Sequence, residues 1–313
     1  MADANISVLS QSIIKTLVYF DLFNYPLKKE EVYLNLQTNH VTEAEVTNEL
    51  QRLSEAKVLF QTGEFFSLQN NQALISRRIA GNKKAEEYKE ISTRRARWIF
   101  QFPFVRAVMI SGSLSKNYAD DHTDIDFFII TAPHRLWVAR TLLVIFKRVF
   151  LLNSHKYFCV NYFIDEEHLE IEEKNLFTAT ELSTLLPLHG LELYHRFIGC
   201  NTWVRGILPH AQRKVVKASS GNDKNSLLKR SLEKVLASGI GHWLEEKFMR
   251  LSKLRWRNRY ANKLSAVDFE IAFKSKEYVS KNHPDNYQHK ILNRYRAKLE
   301  EIALLHTWKW THD

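Results

Sequence analysis

Asp124 and Asp126 stand two positions apart, and ten residues separate them from a Gly112-Ser113 pair. Alternate positions of an extended strand share a face, so both carboxylates can point at one cation. A glycine lets the backbone approach a phosphate closely, while a serine hydroxyl and the amides beside it donate to phosphate oxygens. Paired carboxylates in turn hold magnesium. With Ile125 between them and Phe127 beside them, the two aspartates would cost several kcal/mol to bury without a compensating cation. The chemistry these residue types suit is a phosphorylated substrate held through a divalent ion.

The neighbouring sequence supplies the elements to position them. Val105 to Ile110 is an apolar, β-branched run that ends in Ser111-Gly112-Ser113, a buried strand entering a turn of small residues. A short helix is expected over Leu114 to Ala119, and a second strand over Asp124 to Thr131. A strand, Gly-Ser, a spacer near ten residues and Asp-x-Asp on the next strand together resemble the DNA polymerase β-like nucleotidyltransferase superfamily. The resemblance implies that Gly112 and Ser113 cradle the β and γ phosphates and that Asp124 and Asp126 are ligands of Mg2+ or Mn2+. It further implies transfer of a nucleoside monophosphate from a nucleoside triphosphate to a hydroxyl acceptor, with release of pyrophosphate. Lys116 stands where members of the superfamily often carry a basic residue and is expected at a phosphate, with a helix-surface lysine as the alternative. Asp120, Asp121 and His122 read as a solvated loop, and His122 is left outside the metal site.

The superfamily's third carboxylate comes from a later strand, as metal ligand or general base for the attacking hydroxyl. Here the strand is expected over Lys156 to Ile164, and its inner polar position is Asn161, an amide that can ligate a metal but cannot take a proton at neutral pH. Asp165 closes that strand four residues further along, and could substitute only if the strand bulges or its register is shifted. Three readings stay open: Asp165 is the third ligand, Asn161 is a weakened one, or the site mainly binds nucleotide with reduced turnover. Glu170 and Glu172, in an acidic run, are a further source.

The first seventy residues read as three helices and a hairpin. Ile6, Leu9, Ile13, Leu17 and Phe20 recur at helical spacing up to Tyr25-Pro26, Leu27 to Leu36 holds a short second helix, and Thr42 with Glu45 opens a third as a capping box. Val58 to Gln61 and Glu64 to Leu68 are short strands joined through Thr62-Gly63. The arrangement resembles a winged helix-turn-helix module. Glu43, Glu45, Glu49 and Glu55 make the third helix acidic, so packing against protein is favoured over reading DNA. Lys83 to Phe100 is a linking helix, Leu136 to Leu152 a crossover helix, and Thr178 to Phe197 two helices punctuated by Pro187 and Gly190. Long amphipathic runs over Leu227 to Leu264 and Ala266 to Leu305, broken near Ser265 and at Asn282-His283-Pro284, predict a helical C-terminal part.

Composition bounds the remaining classes. The two cysteines, Cys159 and Cys200, are spaced for neither a zinc site nor a disulfide scaffold, and no basic, apolar leader opens the sequence, so a cytoplasmic location is expected. Arg140, Lys147 and Arg148 interrupt the most apolar stretch, which excludes it as a membrane span. The formal net charge is +10, while the part from Val204 onward carries about +12, so the basicity is C-terminal. It can attract a triphosphate or a nucleic acid, the latter also through the winged helix, or simply solvate a helical face. Trp243, Trp256 and Tyr260 among Lys247, Arg250, Arg255 and Arg259 read as core packing with a basic outer face, with nucleotide stacking as the alternative.

The expected fold class is α+β: a winged helix over 1-72, a nucleotidyltransferase domain with a mixed sheet over 73-200, and a helical domain over 201-313. The expected function is Mg2+-dependent nucleotidyl transfer to a small molecule, an RNA end or a protein hydroxyl. A nucleotide-binding regulator with weak turnover, using the winged helix on DNA or protein, is the second reading.

Overall fold

The computed structural model describes residues 6–151, 156–211, 225–260, 262–282, 286–306, 308 and 310. Three helices, α1 (Val8–Asp21), α2 (Lys29–Leu34) and α3 (Glu43–Glu55), and three short strands, β1 (Leu27–Lys28), β2 (Phe60–Thr62) and β3 (Phe65–Ser67), form the first unit. Its small sheet has the order β1-β3-β2, all antiparallel. Ser7 caps α1 by accepting from the Ser10 amide, and Thr42 and Glu45 close the capping box that opens α3. Ile13, Leu17, Val46, Leu50 and Leu53 form the core between these helices, as their spacing requires.

Helix α4 (Gln72–Phe100) is longer than the linker expected from Lys83, because Asn71 caps it a full eleven residues earlier by accepting from the Ala73 amide. It leads into β4 (Val105–Ile110), α5 (Gly112–Ser115), β5 (Asp126–Thr131), α6 (Leu136–Phe150), β6 (Cys159–Asp165), α7 (Leu176–Thr184), β7 (Leu186–His189), α8 (Leu191–Cys200) and α9 (Val204–Ile207). The expected helix over Leu114 to Ala119 shortens to a single turn. Pro187 sits in β7, which pairs only with β4 at the sheet edge, where a residue without an N–H is tolerated.

The C-terminal part holds α10 (Leu227–Leu236), α11 (Gly239–Tyr260), α12 (Ala266–Ala272), β8 (Ser275–Lys276), β9 (Val279–Lys281) and α13 (Tyr287–His306). It is helical as expected except for the β8-β9 hairpin, which the amphipathic pattern hid inside an apparent helical run. Of the expected break at Asn282-His283-Pro284, the last two residues lie outside the described ones, as does Leu152 at the end of the crossover helix.

The hairpin completes a six-stranded mixed sheet of order β7-β4-β5-β6-β9-β8, in which β5 and β6 are parallel and the other pairs antiparallel. Along β5 the alternation divides two cores. Phe127 and Ile129 pack with Val108, Leu143 and Trp137 toward α4 and α6, while Phe128 and Ile130 pack with Met109, Leu182 and Phe197 toward α7 and α8. The protein is thus an α+β molecule built on a mixed sheet, with a mainly helical C-terminal region. No helix among the described residues is long and apolar enough to cross a membrane.

Candidate functional site

Chain direction brings the end of β4 beside the starts of β5 and β6, and the residues of chemical interest gather at that edge. Gly112 has φ +68°, the left-handed region that strains any side chain. A Cβ there would lie 2.6 Å from Oδ2 of Asp126, so glycine is needed for both the turn and the contact. The Ser111 amide donates to the Asp126 carbonyl at 3.0 Å, locking the turn to the strand that carries the carboxylate. On the other side of the spacer, Gly81 of α4 makes room for the Tyr118 ring and accepts from the Ala119 amide at 3.1 Å.

Asp124 precedes β5 rather than lying within it. Ile125, fully buried, donates to the Lys156 carbonyl at 2.9 Å and accepts from the Cys159 amide at 3.0 Å. This pins the residue between the two aspartates to the neighbouring chain and leaves Asp124 and Asp126 both on the wall of a cavity of about 1180 Å3. Ser113, Lys116, Cys159 and Asn161 share that wall, and His122 also reaches it. Burial pushes the Asp126 carboxyl up to about 7. A hydrogen bond with Cys159 and the charge of Lys116 pull it down, while Asp124 and Glu181 push it further up. Burial, then Asp126 and Asp124, raise the Cys159 thiol and so favour its protonated form.

The bulge that could have redirected β6 falls at Asn161: Phe127 pairs with Val160 and Phe128 with Tyr162, so Asn161 is the inserted residue. Its amide nitrogen donates to Sγ of Cys159 at 2.8 Å, beside Asp126. Asp165 is not part of this cluster, which corrects its expected place among the metal ligands. It pairs with Thr131 while Asp126 pairs with Cys159, so about 17 Å of strand lies between them. Its Oδ1 instead accepts from the amides of Glu167 and His168, at 3.1 and 2.9 Å, and meets Nδ1 of His168 at 2.8 Å, capping the turn after β6. Glu172 is drawn away too, held well below the usual carboxylate range at about 2, first by Lys274 and then by Lys276.

A carboxylate that the sequence reading passed over stands at the turn. Glu181 of α7 accepts from the Gly112 amide at 3.2 Å and pairs with Nζ of Lys116 at 2.7 Å, and Lys116 also donates to the Gly112 carbonyl at 3.1 Å. Lys116 is therefore folded onto the turn and is not a solvated surface lysine. Glu181 lies nearly seventy positions from Gly112 in an otherwise uncharged helix, Leu176 to Thr184; a lone acid in such a helix was the one signal available. Lys147 of α6 is a second such residue. It is buried among groups that include Cys159, Arg140 and Asp124, and burial lowers its ammonium. Among the described residues no three His, Cys, Asp or Glu side chains are grouped to hold a metal ion, so Asp124 and Asp126 stand as a pair.

No family model, curated protein or solved structure matches the chain.

Proposed function

We propose that this protein is a nucleotidyltransferase of the polymerase β type, which uses Mg2+ or Mn2+ to transfer a nucleoside monophosphate from a nucleoside triphosphate to a hydroxyl acceptor. The observation that carries the reading is the contact of the left-handed Gly112 turn with Asp126, beside Asp124, on one cavity wall. Support for the first unit being a winged helix is its element order α1-β1-α2-α3-β2-β3 with a three-stranded antiparallel sheet.

The residues fit a divalent ion. Asp124 and Asp126 share one cavity wall, where burial raises the Asp126 carboxyl to about 7 and the nearby Asp124 and Glu181 add to the rise, so a cation between the aspartates would offset a real cost. Two carboxylates also suit magnesium, which completes its shell with water and substrate phosphates rather than with a cage of protein ligands. Asp124 and Asp126 would hold it, and when bound it would supply Lewis-acid activation of the α-phosphate and charge neutralisation on the leaving pyrophosphate.

The chain's own residues do the rest. The Gly112 and Ser113 amides and the Ser113 hydroxyl donate to phosphate oxygens at the turn, and the Lys116 ammonium adds a charge-assisted bond. Glu181 now holds the Gly112 amide and Lys116, the donors a phosphate would use, so it gives them up when nucleotide enters. Released on the cavity wall, its carboxylate can accept the acceptor's proton. The turn and the carboxylate pair serve equally a protein that binds nucleotide and turns it over weakly, and Asn161, an amide on the same cavity wall that cannot take a proton, favours that second reading.

Incubation with Mg2+ and each labelled nucleoside triphosphate tests the proposal. Pyrophosphate release or label transfer, lost in Asp124→Asn and Asp126→Asn, is expected. Nucleotide binding without either product would leave the regulator reading in its place, and binding unaffected by both substitutions would remove the two together.

A further inference from the structure

Beyond the carboxylates, α6 and α11 also line the cavity with cations. Arg140, Lys147 and Arg148 come from α6, and Arg255 and Arg259 from α11. Arg140 is the innermost arginine, 7 % exposed, with its guanidinium 4.6 Å from the Trp256 ring centroid and 5.6 Å from that of Trp137. Its Nε has no hydrogen-bond partner although it is buried. Burial lowers this guanidinium to about 10, and the charges that push it further the same way are Arg148 and Arg255. Among the described residues, Arg140, Arg148 and Arg255 make no ion pair with a carboxylate. The buried Arg140 guanidinium, with Arg148 and Arg255 near it at the exposed mouth and no acid among the described residues paired to any of the three, is costly to keep charged unless an anion joins it.

We infer that the α6–α11 wall is a second anion subsite, which takes a phosphoryl group through Arg140, Arg148 and Arg255. Guanidinium forks match phosphate oxygens bidentately, and three of them suit a dianion better than a single carboxylate. The buried position of Arg140 favours a terminal phosphate entering the cavity over a nucleic-acid strand lying across its mouth. The cavity, at about 1180 Å3, exceeds the roughly 300–1,000 Å3 usual for one ligand, which leaves room for a second beside a nucleotide. The phosphate belongs either to the acceptor or to the tail of the nucleotide itself. The subsite stands on the arginine geometry alone, while its place in catalysis rests on the nucleotidyl-transfer reading.

Trp137 and Trp256 flank Arg140, so tryptophan fluorescence can follow a titration with inorganic phosphate against chloride at matched ionic strength. Saturable phosphate binding is expected. It should weaken about tenfold or more in Arg148→Gln/Arg255→Gln, both exposed positions whose loss leaves the fold intact, and persist in Asp124→Asn/Asp126→Asn. Absence of saturable binding, or an affinity unchanged in the arginine variant, would overturn the subsite. So would arginine-dependent binding of an oligonucleotide without terminal phosphate where inorganic phosphate fails to bind. Repeating the titration with Mg2+ and α,β-methylene ATP separates the sources. Phosphate binding that survives the nucleotide supports an acceptor phosphate, and competition between them supports the nucleotide tail. Failure of the transferase reading alone leaves the phosphate titration as it is.

Discussion

At the level of single residues, the turn makes opposite demands on Gly112 and Glu181. Gly112→Ala puts a methyl group 2.6 Å from Asp126 Oδ2 at φ +68°, costing about 1–2 kcal/mol for the backbone alone and displacing the carboxylate. Mg2+-dependent nucleotide affinity, read by calorimetry, should fall while the fold persists by circular dichroism. Glu181→Ala should act the other way. It frees the Gly112 amide and Lys116, so α,β-methylene ATP should bind about tenfold tighter, the equivalent of 1.4 kcal/mol of removed competition. A tenfold loss would instead make Glu181 a required ligand. For turnover, Asp126→Asn should cost about a thousandfold in pyrophosphate release, some 4 kcal/mol of transition-state stabilisation.

Among the elements, α10 is the brace of β4. Glu233 accepts from the Phe104 amide at 2.6 Å and pairs with Arg106 at 2.8 Å, and Lys229, 1 % exposed, donates to the carbonyls of Phe100 and Val105, both at 2.7 Å. These bonds hold the left-handed Phe104, φ +65°, from which β4 starts toward the Gly112 turn. Burial acts to raise the Glu233 carboxyl, but Arg106 and the Phe104 amide outweigh it, and its pKa lies below the ordinary 4.5. A depressed carboxyl contributes stability that is present above the unfolded value and is lost as pH falls through the folded one. Thermal stability should therefore drop below about pH 4.5, and Glu233→Gln should flatten that part of the profile while costing about 1–3 kcal/mol at neutral pH. An identical acid limb in wild type and variant would contradict this role.

Across the whole molecule, the chain ends join what the sequence separates. Ile291 and Tyr295 of α13, 1 % and 8 % exposed, lie in the core of the N-terminal unit, and Tyr287 packs on Phe23 of that unit and on Phe177 of α7, the helix that carries Glu181. Tyr25 donates to the Lys116 carbonyl at the site turn. Ile291→Ala should cost about 2–4 kcal/mol and lower one shared unfolding transition, seen alike by probes in the N-terminal unit and in the sheet. Two separated transitions, with only the first shifted, would show that the units unfold independently.

The sequence by itself determined the elements whose cause is local. The helical period of α1, the Thr42-Glu45 box of α3, the β4 strand entering Gly112-Ser113 and the Asp-x-Asp at the start of β5 each depend on neighbours within a few positions. Only the tertiary structure decided the rest, because those relations are set by pairing and packing across long separations. One inserted residue at Asn161 fixes the register of β6 and leaves Asp165 at the far end of the sheet. The β8-β9 hairpin becomes a strand pair only because β6 offers it an edge. Glu181, Lys147 and the arginines of α6 and α11 meet the Gly112 turn and the two aspartates through the packing of helices on both faces of one sheet, which no local spacing encodes.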